Sequence, residues 1–142
     1  PLSPEEDLTP GSRCSEPDEY RYPEHIPYCR RSVSKGKKDG VIQTYDKEHG
    51  YSIDDMNRQD FKIDHYIPLC MGGSNNVNNL WPQHEKTYVL TDPIEAKLCD
   101  MLAQGQVKQA EAIEKMTYIK HNTDEAKIML KELKANGFKN FR

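Results

Sequence analysis

The chain has 142 residues, of which 35% are apolar and 30% charged, a balance that suits one domain with a modest core. No apolar run nears the roughly 20 residues that cross a bilayer, and no collagen-like period or long heptad pattern is present. A transmembrane protein, a collagen and a long coiled coil are therefore excluded. The net charge of −3 is unevenly placed: residues 1–19 hold Glu5, Glu6, Asp7, Glu16, Asp18 and Glu19 against Arg13, so the remainder carries +2. A mildly basic body permits contact with nucleic acid without requiring it.

In chain order, residues 1–24 read as an extended or poorly ordered acidic arm, because Pro, Ser and Glu crowd a stretch with no apolar period. Residues 25–142 then form a single α+β domain. A basic cluster, Arg30, Arg31, Lys35, Lys37 and Lys38, leads into Val41, Ile42 and Tyr45, whose spacing predicts one face of a short helix ending near 46. Residues 47–60 are polar and predict a loop. From Phe61 to Leu69 the apolar residues Phe61, Ile63, Ile67 and Leu69 alternate, with His65 in the same register, which predicts a strand. Pro68 lacks a donor, so this strand lies at an edge or ends there. Gly72-Gly73-Ser74-Asn75-Asn76 predicts a turn, and Asn79-Leu80-Trp81 a short return strand, with Pro82 near the start of the next element and Trp81 in the core.

The last third is helical. Asp92-Pro93-Ile94-Glu95 carries an acidic cap, a proline at the first helical position and Glu at the third. It predicts a helix from 92 with Ile94, Leu98, Met101 and Leu102 inward, ending at Gly105. A second helix is predicted over about 106–120 with Val107, Ala110, Ile113 and Met116 inward. A third spans about 123–135 and stops at Asn136-Gly137.

The four cysteines, Cys14, Cys29, Cys70 and Cys99, form no CxxC pair, which argues against a zinc ribbon or knuckle. The even count fits two disulfides in an oxidising compartment or four buried thiols in the cytoplasm. A chain starting at Pro1 fits removal of a signal peptide and equally a trimmed sequence. A secreted or periplasmic location is the expectation, with a cytoplasmic one still open.

The chemistry concentrates in Asp64-His65-Tyr66-Ile67-Pro68-Leu69-Cys70-Met71-Gly72-Gly73-Ser74-Asn75, followed by Asn79-Leu80-Trp81-Pro82-Gln83-His84. An acid beside a histidine, a Gly-Gly-Ser-Asn loop, then Asn-Leu and a second histidine resembles the HNH endonucleases. The closer likeness is to the bacterial, often exported subgroup reading DHxIPLxxGGSNxxxNLWPQ. The likeness is strong over 61–84 and weaker over 28–33 and the helices through about 117.

The resemblance implies a ββα-metal core over about 61–103, with the helices of 106–136 flanking it. It also implies hydrolysis of phosphodiesters in DNA, and in RNA as well; so short a chain shows no recognition helix or base-reading module, so little sequence preference is expected. In that scheme His65 is the general base, since neutral imidazole takes a proton near pH 6.5. Asn79 holds His65 in place. Asp64 and His84 hold one divalent cation, Mg²⁺ first and Mn²⁺ or Zn²⁺ as alternatives. Arg30, Arg31 and Lys35 meet phosphates of the nucleic-acid partner. The subgroup pattern further suggests Cys29 with Cys99, leaving Cys14 with Cys70. The chain departs from the family in having His84 as the nearest substitute for a ligand that usually lies further into the helix, and in lacking zinc-binding cysteine pairs. Neighbours in a regular strand face opposite ways, so Asp64 and His65 reach one phosphate only if the strand twists, breaks or meets the metal at its edge. The rival readings are a catalytically inert nucleic-acid-binding module and a disulfide-bonded domain that docks a protein.

Overall fold

The computed structural model describes residues 3–55 and 58–136, which form an α+β fold of four α-helices and two small antiparallel sheets. The first sheet pairs β1 (Glu19–Arg21) with β2 (Ile26–Tyr28). Helix α1 (Lys35–His49) follows; Ser34 caps it by accepting from the Lys37 N–H at 3.1 Å, and Gly50 ends it at φ 69°. Val41, Ile42 and Tyr45 are its buried face, as their spacing predicted. The helix runs to His49 rather than 46, and the Asp46 carboxylate then accepts from the backbone of Ile53 and Asp54 to fold the chain back.

The second sheet pairs β3 (Phe61–His65) with β4 (Leu80–His84), in the register Phe61↔His84, Ile63↔Pro82 and His65↔Leu80. The strand predicted to reach Leu69 stops at His65, where the chain bends into a short 3₁₀ turn at Leu69–Met71. Pro82 is not at the start of the next element but inside β4, which an edge strand tolerates because one side needs no donor. The loop between the strands depends on its glycines. Gly72 sits at φ 88°, and a Cβ on Gly73 would lie 1.8 Å from the Ile67 carbonyl oxygen, so only glycine fits that approach.

Helix α2 (Glu85–Ala103) begins seven residues before the predicted Asp92. Thr87 and Thr91 extend the buried stripe of Ile94, Leu98, Met101 and Leu102 backwards at helical spacing, so packing overrides the capping signal. Pro93 withdraws the N–H that would serve the Val89 carbonyl, on a side where both residues are exposed to water. Helix α3 (Gln109–His121) buries Ala112, Met116, Ile119 and Lys120; Ala110, expected inward, is exposed. Helix α4 (Ala126–Asn136) follows a 3₁₀ turn, and the proposed stop at Gly137 lies outside the described residues. Helices α2, α3 and α4 pack together around Leu98, Met101, Met116 and Leu133.

Residues 3–24 are bound to the domain rather than loose, and they include a turn at 6–8 and strand β1. Thr9 Oγ1 shares a hydrogen bond with the Tyr45 hydroxyl at 2.6 Å and donates to the Leu80 carbonyl at 3.1 Å. Further on, Gly11 and Cys14 donate from the backbone to Asn78 and Gly72. The disulfides join Cys14 to Cys29 and Cys70 to Cys99, with Cα atoms 5.6 and 5.9 Å apart. This corrects the pairing of Cys29 with Cys99: the arm carries Cys14 back beside β2, and Cys70 faces α2. Among the described residues no helix is long and apolar enough to cross a membrane.

Candidate active site

A cavity of about 300 Å³ opens along the free edge and end of β3. Residues 62–65 form one side, Arg21, Tyr28 and Arg31 a second, Pro68–Cys70 a third, and Glu95 of α2 the last. Asp64 and His65 both line it despite being neighbours in a strand, because β3 ends at His65 and the cavity lies along its edge. They are recessed, with 7% and 5% of their surfaces exposed.

The hydrogen-bond network around His65 fixes its tautomer. Asn75 Nδ2 donates to the Arg30 carbonyl at 2.8 Å and Asn75 Oδ1 accepts from the Ser32 N–H at 3.2 Å, which settles which end of the amide is oxygen. His65 Nε2 lies 3.0 Å from that same Oδ1 and must be the donor. The proton is thus on Nε2, and Nδ1 carries the lone pair, with no hydrogen-bond partner among the described residues. Burial pushes the His65 pKa down from 6.5, against the opposing pull of the Asn75 bond, so the ring is neutral at neutral pH.

Asp64 is held on its other side. Its Oδ2 accepts from Trp81 Nε1 at 2.9 Å and from Lys120 Nζ at 2.7 Å. Lys120, 1% exposed, also donates to the carbonyls of His65 and Tyr66 at 2.8 and 3.1 Å, covering the oxygens that β3 leaves unpaired where it ends. Asp64 Oδ1 has no hydrogen-bond partner among the described residues. Carboxylate oxygens of Asp64, Asp92 and Glu95 lie within 4.8 Å of one another. Asp92 Oδ2 accepts from Lys62 Nζ at 2.6 Å. Glu95 is half-buried and makes no hydrogen bond among the described residues. Burial raises its pKa; Lys120 works against the rise, and Asp64 and Asp92 add to it. An all-carboxylate group of this kind could hold a hard divalent cation through the oxygens that the lysines and Trp81 leave free.

Two residues expected at the site are elsewhere. His84 pairs with Phe61, four positions from His65, or about 13 Å along the strand at ~3.3 Å per residue. It also faces away from Asp64: His84 shares the Phe61 side of the sheet, edge-on to that ring at 4.9 Å, and its Nδ1 caps α2 by accepting from Lys86 N–H. Asn79 makes no hydrogen bond to the His65 ring among the described residues, but its carbonyl accepts from the Tyr66 N–H next to His65 at 2.8 Å. Its side chain accepts from the Ile67 N–H and donates to the carbonyls of Ile67 and Ser74 at 2.9–3.0 Å, which pins the loop after β3. The orienting role falls to Asn75 instead.

Of the three basic residues, Arg31 lines the cavity. Arg30 contributes backbone, donating to Asp18 and accepting from Asn75. Lys35 pairs with Asp39 at 2.9 Å beside a separate surface hollow. The residues that sequence reasoning missed, Asn75, Glu95, Lys120 and Arg21, were read as turn, cap, helix end and arm. Glu95 and Lys120 did leave a signal: each lies four residues after an inward residue, Thr91 and Met116, where a charge on a buried stripe calls for a partner. Comparison with protein-family models, with curated proteins and with solved structures finds no match to this chain.

Proposed function

We propose that the protein is a metal-dependent endonuclease of the HNH type, with β3, β4 and α2 as its ββα unit. The reading rests on one observation: a neutral imidazole with a fixed tautomer faces the same cavity as Asp64, whose Oδ2 is tied to Lys120 and Trp81, and Glu95, which has no hydrogen-bond donor among the described residues. His65 Nδ1 takes the proton of the attacking water, and Asn75 Oδ1 steadies the imidazolium that forms through Nε2–H. Asp64 and Glu95, with Asp92 beside them, would hold the cation, which when bound neutralises charge on the phosphate and the departing oxygen. Lys120 keeps Asp64 in place, and Arg31 attracts a phosphate. The substrate is DNA, with RNA as the alternative. The two disulfides suit an oxidising compartment, hence secretion or the periplasm.

Supercoiled plasmid and RNA, each incubated with Mg²⁺, Mn²⁺, Zn²⁺ or EDTA, test the reading. Nicking that EDTA blocks and that His65→Ala lowers by about 10²–10⁴-fold is expected. Binding with a steep salt dependence but no cleavage under any cation would leave an inert nucleic-acid-binding module, and no binding at all would leave a protein-docking domain.

A further inference from the structure

The geometry points to single-stranded nucleic acid, rather than intact duplex, as the substrate of this cavity, an inference that rests on the nuclease reading above. Two observations carry it. The first is depth. Asp64 and His65 expose only 7% and 5% of their surfaces at the bottom of a recess of about 300 Å³, walled by the β1–β2 hairpin on one side and α2 on the other. Duplex DNA is a stiff rod, with a persistence length of about 50 nm, so seating one of its phosphates against side chains this recessed costs deformation of the rod. A single strand bends freely and can lower one phosphate between the walls.

The second observation is the make-up of the hairpin wall. The Arg21 guanidinium carbon sits 3.5 Å from the centroid of the Tyr28 ring, and Glu19 holds Arg21 Nε at 3.0 Å, which fixes the guanidinium plane. One face of that plane lies on the ring. The Arg21 side chain is still 38% exposed and lines the cavity together with Tyr28. A flat cation backed by an aromatic ring is a platform for an unstacked base. Duplex bases are already stacked on one another and have no use for it. The Cys14–Cys29 disulfide ties the base of this hairpin, making the platform a fixed wall rather than a loose loop.

The test compares initial rates with Mg²⁺ on three labelled probes: a single-stranded DNA oligonucleotide, the same strand annealed to its complement, and single-stranded RNA of the same sequence. Expected is a kcat/KM for at least one single strand about tenfold or more above that for the duplex; the DNA and RNA arms show which sugar the site accepts. Arg21→Lys keeps the charge and removes the plane. Arg21 is half-buried at the rim of the cavity, and the change is expected to raise KM for the single strand about fivefold or more, pulling the single-to-duplex ratio towards one. Duplex cut as fast as single strand, or Arg21→Lys with an unaltered KM for the single strand, overturns the inference while the nuclease reading stands. No cleavage of any probe with any cation overturns the nuclease reading, and this inference falls with it.

Discussion

Replacing Lys120 by Met removes the charge under β3 and keeps most of the apolar stem. Lys120 is 1% exposed and donates to Asp64 Oδ2, the His65 carbonyl and the Tyr66 carbonyl. Breaking a buried ion pair from one side costs about 3–5 kcal/mol, because the remaining charge is stranded. The two carbonyls lose partners as well, at about 1 kcal/mol or more each where water does not reach them. The expected loss is about 5–7 kcal/mol, a large share of the roughly 5–15 kcal/mol that holds a domain folded. It corresponds to a melting temperature lower by about 10–20 °C. Urea unfolding followed by circular dichroism, in oxidising buffer so that both disulfides stay closed, measures it. Adding Asp64→Asn removes the stranded charge, so the double variant should lose less than the sum of the single losses by about 1–3 kcal/mol. A loss under about 1 kcal/mol for Lys120→Met, with additive double-variant values, would refute the idea that this pair anchors the end of β3.

Four further outcomes are expected. Asn75→Ala frees the His65 tautomer and the loop carrying Arg31, and should lower kcat about 10–100-fold with little change in cation affinity, measured by Mn²⁺ titration. Because burial lowers the His65 pKa, the base stays neutral below pH 6.5, and the acid limb of kcat/KM should fall below that value; a limb above 6.5 contradicts the burial argument. The same shift means the unfolded chain binds more protons than the native one below 6.5, so His65 costs stability as pH falls through that window, and His65→Gln should flatten the pH dependence of urea unfolding there. Glu95 is the reverse case: its raised pKa means ionisation costs stability as pH rises above 4.5. Glu95→Gln should therefore be more stable than wild type at pH 7 by urea unfolding, while Mn²⁺ binding and cleavage weaken.

How much of this was legible depends on how local each signal is. The buried face of α1, the hairpin around the Gly-Gly-Ser-Asn loop and the burial of Trp81 follow from spacing of 3.6 and 2 and from turn chemistry within a few residues. The start of α2 was misplaced because Asp92-Pro93 is a good local cap, whereas the threonines that extend the helix are buried only by tertiary packing. The disulfide pairing differs from the expected one for a related reason. Cys14 reaches Cys29 only after the arm has crossed α1 and the loop after β3, in contacts some 36 to 71 residues apart in sequence, and no pattern within the arm encodes them. His84 was placed beside Asp64 by its position in a motif. Pairing it with Phe61 sends it to the far end and the other face of the sheet, a consequence of the register that a linear motif does not display.

The cross-links and the buried charges answer the same weakness. A chain with 35% apolar residues has little core to spend on holding a recess open, and a recess that gathers Asp64, Asp92 and Glu95 adds repulsion. Each wall is therefore fixed by something stronger than packing. Cys14–Cys29 closes the hairpin that carries Arg21 and Tyr28. Cys70–Cys99 ties the turn beneath the cavity to α2 one helical turn beyond Glu95. Lys120 and Lys62 each take one oxygen of a carboxylate pair member and so offset the repulsion without occupying the remaining oxygens. Lysines that served only to pair charges could sit on either oxygen at the surface. Here one is buried beneath the strand end and bonds the backbone as well, so the carboxylate it steadies is fixed relative to His65, and the acid and the imidazole cannot drift apart without breaking the end of the sheet.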